Sequence, residues 1–145
     1  MNAIVMNTLT GAVSEYSSFQ FDSITPTHAA SASGLFTLGG NTDDTVPIIS
    51  TLVTGKTLRG DSTKNQADTV FFSVKGTGLG QLIVVGETQR YAYNFPIREA
   101  GESRAQPGKG IRENYLAYGY SNPNGDAFEL DRIEAGIAKS KTRRT

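Results

Sequence analysis

The chain has no cysteine, no tryptophan, a single histidine and no excess of either charge, since 14 lysines and arginines balance 14 aspartates and glutamates. Without cysteine there is no disulfide and no thiolate metal site, a usage that fits a reducing compartment. With only His28 and no readable pair of carboxylates, a nucleophile and base have few members to draw on, so an enzyme is not expected. Zero net charge supplies no basic footprint for nucleic acid. It also leaves little self-repulsion, which eases packing into a larger assembly. No apolar stretch approaches the roughly 20 residues of a membrane helix. No basic segment followed by an apolar run opens the chain, so a soluble protein without a secretory signal is expected. No segment longer than one turn repeats apolar residues at i, i+3 and i+4, so helix content should be low.

What is present is alternation. In a chain of 145 residues with 16 glycines, short runs of branched and aromatic residues are separated by turn formers. Residues 48 to 138 supply about six strands at the roughly 8 to 12 residue spacing of sandwiches and barrels. Ile48–Thr54, Val70–Val74 and Gln81–Val85 are three of them. Arg90–Arg98 sets Tyr91, Tyr93, Phe95 and Ile97 on one face, and Pro96 places it at a sheet edge. The stretches Gly55–Ala67 and Glu99–Lys109 read as polar loops. Gly108 to Ile137 reads as a closing β-hairpin, with Ser-Asn-Pro-Asn-Gly-Asp between its two runs. In its second run the apolar face passes from Phe128 and Leu130 to Ile133, Ala135 and Ile137. That slip predicts a β-bulge at Asp131 and Arg132, because side chains alternate with a strict period of two.

The first 40 residues read as a small meander of four short strands. Ala3–Met6 and Ala12–Tyr16 flank a loop ending in Gly11, and Ser23–Thr27 pairs with Gly34–Leu38 through the small-residue stretch Ala29–Ser33. Phe19 and Phe21 are expected to pack over the top. Four short strands cannot bury both their faces, so they must lean on another part of the chain or on another subunit. The expected organisation is an all-β chain: a β-meander at 1–40, a linker at 41–47, an antiparallel β-sandwich or jelly-roll-like domain at 48–138, and a basic tail at 139–145.

Each candidate for chemistry has a plainer reading. Gly76, Gly78 and Gly80 lead from strand to strand, not from strand to helix, so they read as a hairpin turn and not a phosphate cradle. His28 reads as a loop or surface histidine. Asp43-Asp44 and Asn122–Asp126 gather oxygen ligands without calcium spacing, and Asn and Asp are common turn formers. Glu129, Asp131 and Glu134 form no readable acid/base pair. No metal or cofactor is expected.

Two stretches look familiar. Asn7-Thr-Leu-Thr-Gly-Ala-Val-Ser-Glu-Tyr16 followed by Gly34-Leu-Phe-Thr-Leu-Gly-Gly-Asn-Thr-Asp43 resembles a segment of structural, tail-associated virion proteins of tailed bacteriophages. So does Gly108-Lys-Gly-Ile-Arg-Glu-Asn-Tyr115 followed by Asn124 to Glu134 and the Lys-Thr-Arg-Arg close. The resemblance covers about half of the chain, at its two ends. It implies a non-enzymatic β-rich tail component in the virion, assembled in the host cytoplasm from identical copies and neighbouring tail proteins. The interface is expected in Met1–Met6, Gly55–Asp68, Glu99–Lys109 and Lys139–Thr145. Its named residues are Met1, Ile4 and Met6, then Lys56, Arg59 and Lys64, then Arg104 and Lys109, and last Lys139, Lys141, Arg143 and Arg144. No membrane and no nucleic acid partner is expected. The final hairpin also looks like the closing strands of jelly-roll carbohydrate-binding modules, which keeps open a glycan-binding alternative with Tyr115, Tyr118 or Tyr120 as stacking platforms.

Overall fold

The computed structural model describes residues 3–11, 13–16, 20–40, 42–43, 45–58 and 64–139. The described residues contain no helix, and the fold is all-β with antiparallel pairing throughout. The chain divides into two compact units, Met1–Gly40 and Asn41–Thr145.

In the first unit, β1 (Ala3–Met6) and β2 (Val13–Tyr16) form a hairpin with Met6 opposite Val13. Its turn is held by Asn7, whose side-chain oxygen accepts from the Leu9 and Thr10 amides at 2.9 and 3.3 Å. The Gly11 amide closes onto the Asn7 carbonyl at 2.8 Å. A separate meander follows, with β4 (His28–Ser31) between β3 (Ser23–Ile24) and β5 (Gly34–Thr37). The small-residue stretch expected to join two strands is therefore itself the central strand in large part, with Ala29 buried. Alanine and serine carry little strand signal. The turn lies later, where the Ser31 and Ser33 hydroxyls hydrogen-bond at 2.6 Å. Phe21 packs on Phe36 with ring centres 5.7 Å apart; Phe19 lies outside the described residues.

The second unit begins with a short hairpin, β6 (Thr42–Asp43) and β7 (Val46–Pro47). Its main body is a β-sandwich-like pair of sheets. In one, the long strand β10 (Asn65–Gly76) pairs along one edge with β16 (Phe128–Lys139) and along the other with β13 (Ser103–Ala105) and β14 (Arg112–Glu113). In the other the order is β12 (Arg90–Pro96), β11 (Leu79–Val85), β15 (Tyr115–Ser121), then β8 (Thr51–Val53) and β9 (Thr57–Leu58) sharing the far edge of β15. Between the sheets lie Val70, Phe72 and Val74 from β10, Leu82 and Val84 from β11, Phe95 from β12, and Leu116, Tyr118 and Tyr120 from β15. Phe72 stacks on Phe95 at 4.6 Å and tilts against Tyr120 at 5.8 Å. Tyr91, Tyr93 and Ile97 pack against this core, as their alternation predicts, and Pro96 sits on β12, which among the described residues pairs only with β11. At Gly119 the β8 backbone lies close against β15: a β-carbon there would collide with the Leu52 carbonyl oxygen.

Two expected hairpins are not hairpins. β15 and β16 do not pair with each other; β15 lies in one sheet and β16 in the other. The same is true of β10 and β11, on either side of Gly76 to Gly78. Both connections are arches that carry the chain from layer to layer. An apolar face is covered equally well by a facing strand as by a lateral neighbour, so alternation alone does not choose. The arches also touch. Gly78 has a φ of 84° and lies so close to the Asp126 carboxylate that a β-carbon would not fit. A β-carbon on Gly76 would meet the Ala127 carbonyl oxygen at 2.8 Å.

The two stretches read as polar loops also hold strand. Asn65 to Asp68 opens β10, with Asn65 and Ala67 buried, and β13 lies within Glu99–Lys109 with Ser103 and Ala105 buried. The bulge at Asp131 is present: Ser73 pairs with Arg132 and Val74 with Leu130, leaving Asp131 opposite no residue.

Candidate interaction surfaces

Two kinds of surface stand open among the described residues: an apolar hairpin in the first unit and the edges of the sheets in the second. On β1, Ile4 and Met6 share a face, and Val13 joins them from β2 by register. They are 75%, 60% and 63% exposed, and Leu9 at the tip of the turn is 94% exposed. The tip is no loose end, because the Asn7 side chain and the Gly11 amide fix it. The sequence places Ile4 and Met6 in the interface but passes over Leu9 and Val13. The signal for them was available, since a lone two-stranded hairpin has no second layer to bury a face.

Strand edges form the second surface. β12 and β16 each pair on one side only among the described residues. Among the described residues the β13 side of β10 is bare from Ser73 to Gly76, because β13 reaches only Val70 to Phe72. That bare edge and the residues Arg98, Glu99, Gly101 and Glu102 line an open groove of about 540 Å³. The Arg98 amide donates to the buried Ser103 hydroxyl at 2.9 Å and sets the bend beside it.

The expected charged contacts are dispersed. Lys64, Arg104 and Lys109 are exposed, Arg104 opposite Phe71 on the outer face of β10, and Lys139 ends β16. Lys56 is engaged within the chain, its Nζ donating to the Glu87 carbonyl oxygen at 3.3 Å. Met1, Arg59, Lys141, Arg143 and Arg144 lie outside the described residues. Along the outer face Lys75 pairs with Glu129 at 3.3 Å and Arg132 with Glu102 at 2.7 Å, both exposed. The Glu102 hydrogen bond holds the Arg132 guanidinium above its usual range. Glu129 and Glu134 thus each have a basic neighbour, Glu134 at 4.0 Å from Arg132, and Asp131 is the bulge residue.

The oxygen-rich turn at Asn122 is built into the fold. Its Nδ2 donates to the Ile48 carbonyl at 3.1 Å and to the Asp126 carbonyl at 2.9 Å, while Oδ1 accepts from the Ser50 amide. Among the described residues no group of three or more His, Asp or Glu gathers as a metal site. His28 is exposed on β4, not in a loop, and its Nδ1 lies 2.9 Å from the Thr27 hydroxyl.

Of the three tyrosines considered as stacking platforms, Tyr118 and Tyr120 are core residues closed to any ligand ring, and only Tyr115 is partly exposed. The Tyr120 hydroxyl is buried and hydrogen-bonds nothing among the described residues. Burial pushes its phenol up from about 10, and the Asp126 carboxylate adds to the shift. An unfolded phenol ionises from about pH 10 while the folded one keeps its proton, so the stability present below that pH is lost as pH rises through the folded value. Tyr120→Phe is therefore expected to raise stability at pH 7 by about 1 kcal/mol, by deleting an unmatched buried hydroxyl. It should also flatten the alkaline fall, both read by denaturant titration across pH 7 to 11.

Comparison of the chain with protein-family models, with curated proteins and with solved structures finds no match.

Proposed function

We propose that this chain is a non-enzymatic structural protein of a tailed-bacteriophage virion, a tail component that joins identical copies and neighbouring tail proteins in a ring or complex. The observation that carries this reading is the hairpin whose apolar residues Ile4, Met6, Val13 and Leu9 stand in solvent. An isolated two-stranded hairpin is at best marginally stable in water, and contiguous exposed apolar surface marks interaction sites. The open strand edges add templates for pairing with other chains. The resemblance at both ends of the sequence supplies the class of particle.

The test is assembly of the full chain. The parent is expected to show a mass that is a multiple of one chain and rises with concentration, and to be found in purified particles by electron microscopy. The triple variant Ile4→Ser, Met6→Ser and Leu9→Ser should weaken association by about 30-fold, the loss of one interface hot spot of ~2 kcal/mol. At concentrations where the parent is a single chain, its thermal midpoint should stay at the parent value. A single-chain mass at every concentration, or a variant that assembles as the parent does, would overturn the reading.

A further inference from the structure

We infer that β16 pairs antiparallel with the β16 of a second copy, about a two-fold axis at Ala135. This rests on the assembly reading above and gives one of its contacts a partner and a register. β16 is twelve residues long and bonded to β10 along one edge; among the described residues nothing pairs with the other. Its ladder with β10 has two irregularities. One leaves Asp131 without an opposite residue. The other sets Asp68 and Thr69 of β10 against Gly136 alone, so the extra residue there belongs to β10. The longest stretch of β16 without an extra residue therefore runs from Arg132 to its end at Lys139. Ile133, Ala135 and Ile137 alternate toward the core side, and Arg132, Glu134, Gly136 and Ala138 toward the outside.

That stretch complements itself. Directly opposite residues of an antiparallel pair share a face. With the axis at Ala135, Ile133 meets Ile137 of the second copy and Ala135 meets its own counterpart. Outside, Glu134 lies opposite Gly136 and Arg132 opposite Ala138, so each long charged side chain faces a small one. Asp131 lies just before this stretch and Lys139 ends it, and this register brings Asp131 of each copy against Lys139 of the other at the rim of the pair. The neighbouring registers are poorer. An axis at Glu134 sets two carboxylates against each other. An axis at Ile133 carries the Asp131 bulge into the pair, and one at Gly136 sets Ile133 against Lys139. Ile133 and Ile137 are only partly buried in the single chain, and the pair extends the sheet beside them. The contact is isologous and closes on two copies.

The absence of native cysteine makes single thiols clean reporters. In the full chain, Ala135→Cys is expected to form a disulfide dimer under mild oxidation. Glu134→Cys and Arg132→Cys should not: in this register two copies of residue 134 lie roughly 8 Å apart, beyond the ~7 Å a disulfide spans. Lys139→Asp should weaken the dimer about tenfold by sedimentation, and adding Asp131→Lys should restore it. Both of these side chains are exposed in the single chain, so an unchanged thermal midpoint at concentrations below the dimer's dissociation constant shows that folding is untouched. If copies assemble but Ala135→Cys cross-links no faster than Glu134→Cys, the β16 pairing is overturned while assembly through other surfaces stands. Failure of the charge reversal to restore the dimer overturns the register. A single-chain mass at every concentration overturns both readings.

Discussion

Asn122→Ala is expected to destabilise the larger unit by about 3 kcal/mol, read as a lower denaturant midpoint at unchanged slope. The side chain is buried and makes three bonds to main chain: from the Ser50 amide, to the Ile48 carbonyl and to the Asp126 carbonyl. Each such bond contributes about 0.5–1.5 kcal/mol, and a buried group left without its partner costs about 1–3 kcal/mol. Alanine orphans three groups at once. Asn122→Asp separates the two halves of the argument, because a carboxylate can still accept from Ser50 but cannot donate to the two carbonyls. It should lose most of the same stability. A change below about 1 kcal/mol for alanine would show that water replaces the amide, and that Asn122 does not tie the arch to residues 48–50.

Phe72→Ala should cost more, about 3–5 kcal/mol. Phe72 is fully buried at the middle of β10, with Ser103 opposite on one side and Ile133 on the other. Its ring stacks on Phe95 and tilts against Tyr120, so truncation opens a void between the two sheets where the aromatic side chains of three strands meet. Phe71→Ala is the internal control. That ring is 37% exposed on the outer face beside Arg104 and Glu134, and its removal should cost about 1 kcal/mol or less. A larger loss at Phe71 than at Phe72 would mean that the faces of β10 are exchanged.

The contrast between these phenylalanines was legible in the chain, because the face of a strand follows from alternation within it. The bulge at Asp131 was legible for the same reason, as a slip of phase inside one run. Lateral partners were not. The Asn-Pro-Asn-Gly turn after Tyr120 has hairpin chemistry, yet Asn122 spends its side chain on Ile48, Ser50 and Asp126 and the chain crosses to the other layer. No pattern near residue 122 announces Ile48. Short strands escaped for a different reason: Ser103-Arg-Ala carries too few residues to show a period, and β4 is built largely from alanine and serine, which carry little strand signal.

For the interaction surface, the sequence pointed to charge and the structure adds shape. Ile4 and Met6 stand exposed, but the neighbours that complete their patch, Val13 and Leu9, were read only as strand and loop. Lys56 was expected at the interface; its long stem also lets it reach the carbonyl of a turn far away in sequence. The β16 edge was invisible beforehand, since an edge is defined by what fails to lie beside it.

The arches have a consequence for synthesis. β10 lies between partners that come after it, and the longest of these, β16, starts at Phe128. On the ribosome that partner follows the end of β10 by about 50 residues, or a few seconds at roughly 5–20 residues per second. For that interval the nascent chain presents a twelve-residue strand rich in valine and phenylalanine with no completed layer around it. Chaperones that shield such segments should therefore govern the yield of the native protein more strongly than its final thermal stability does.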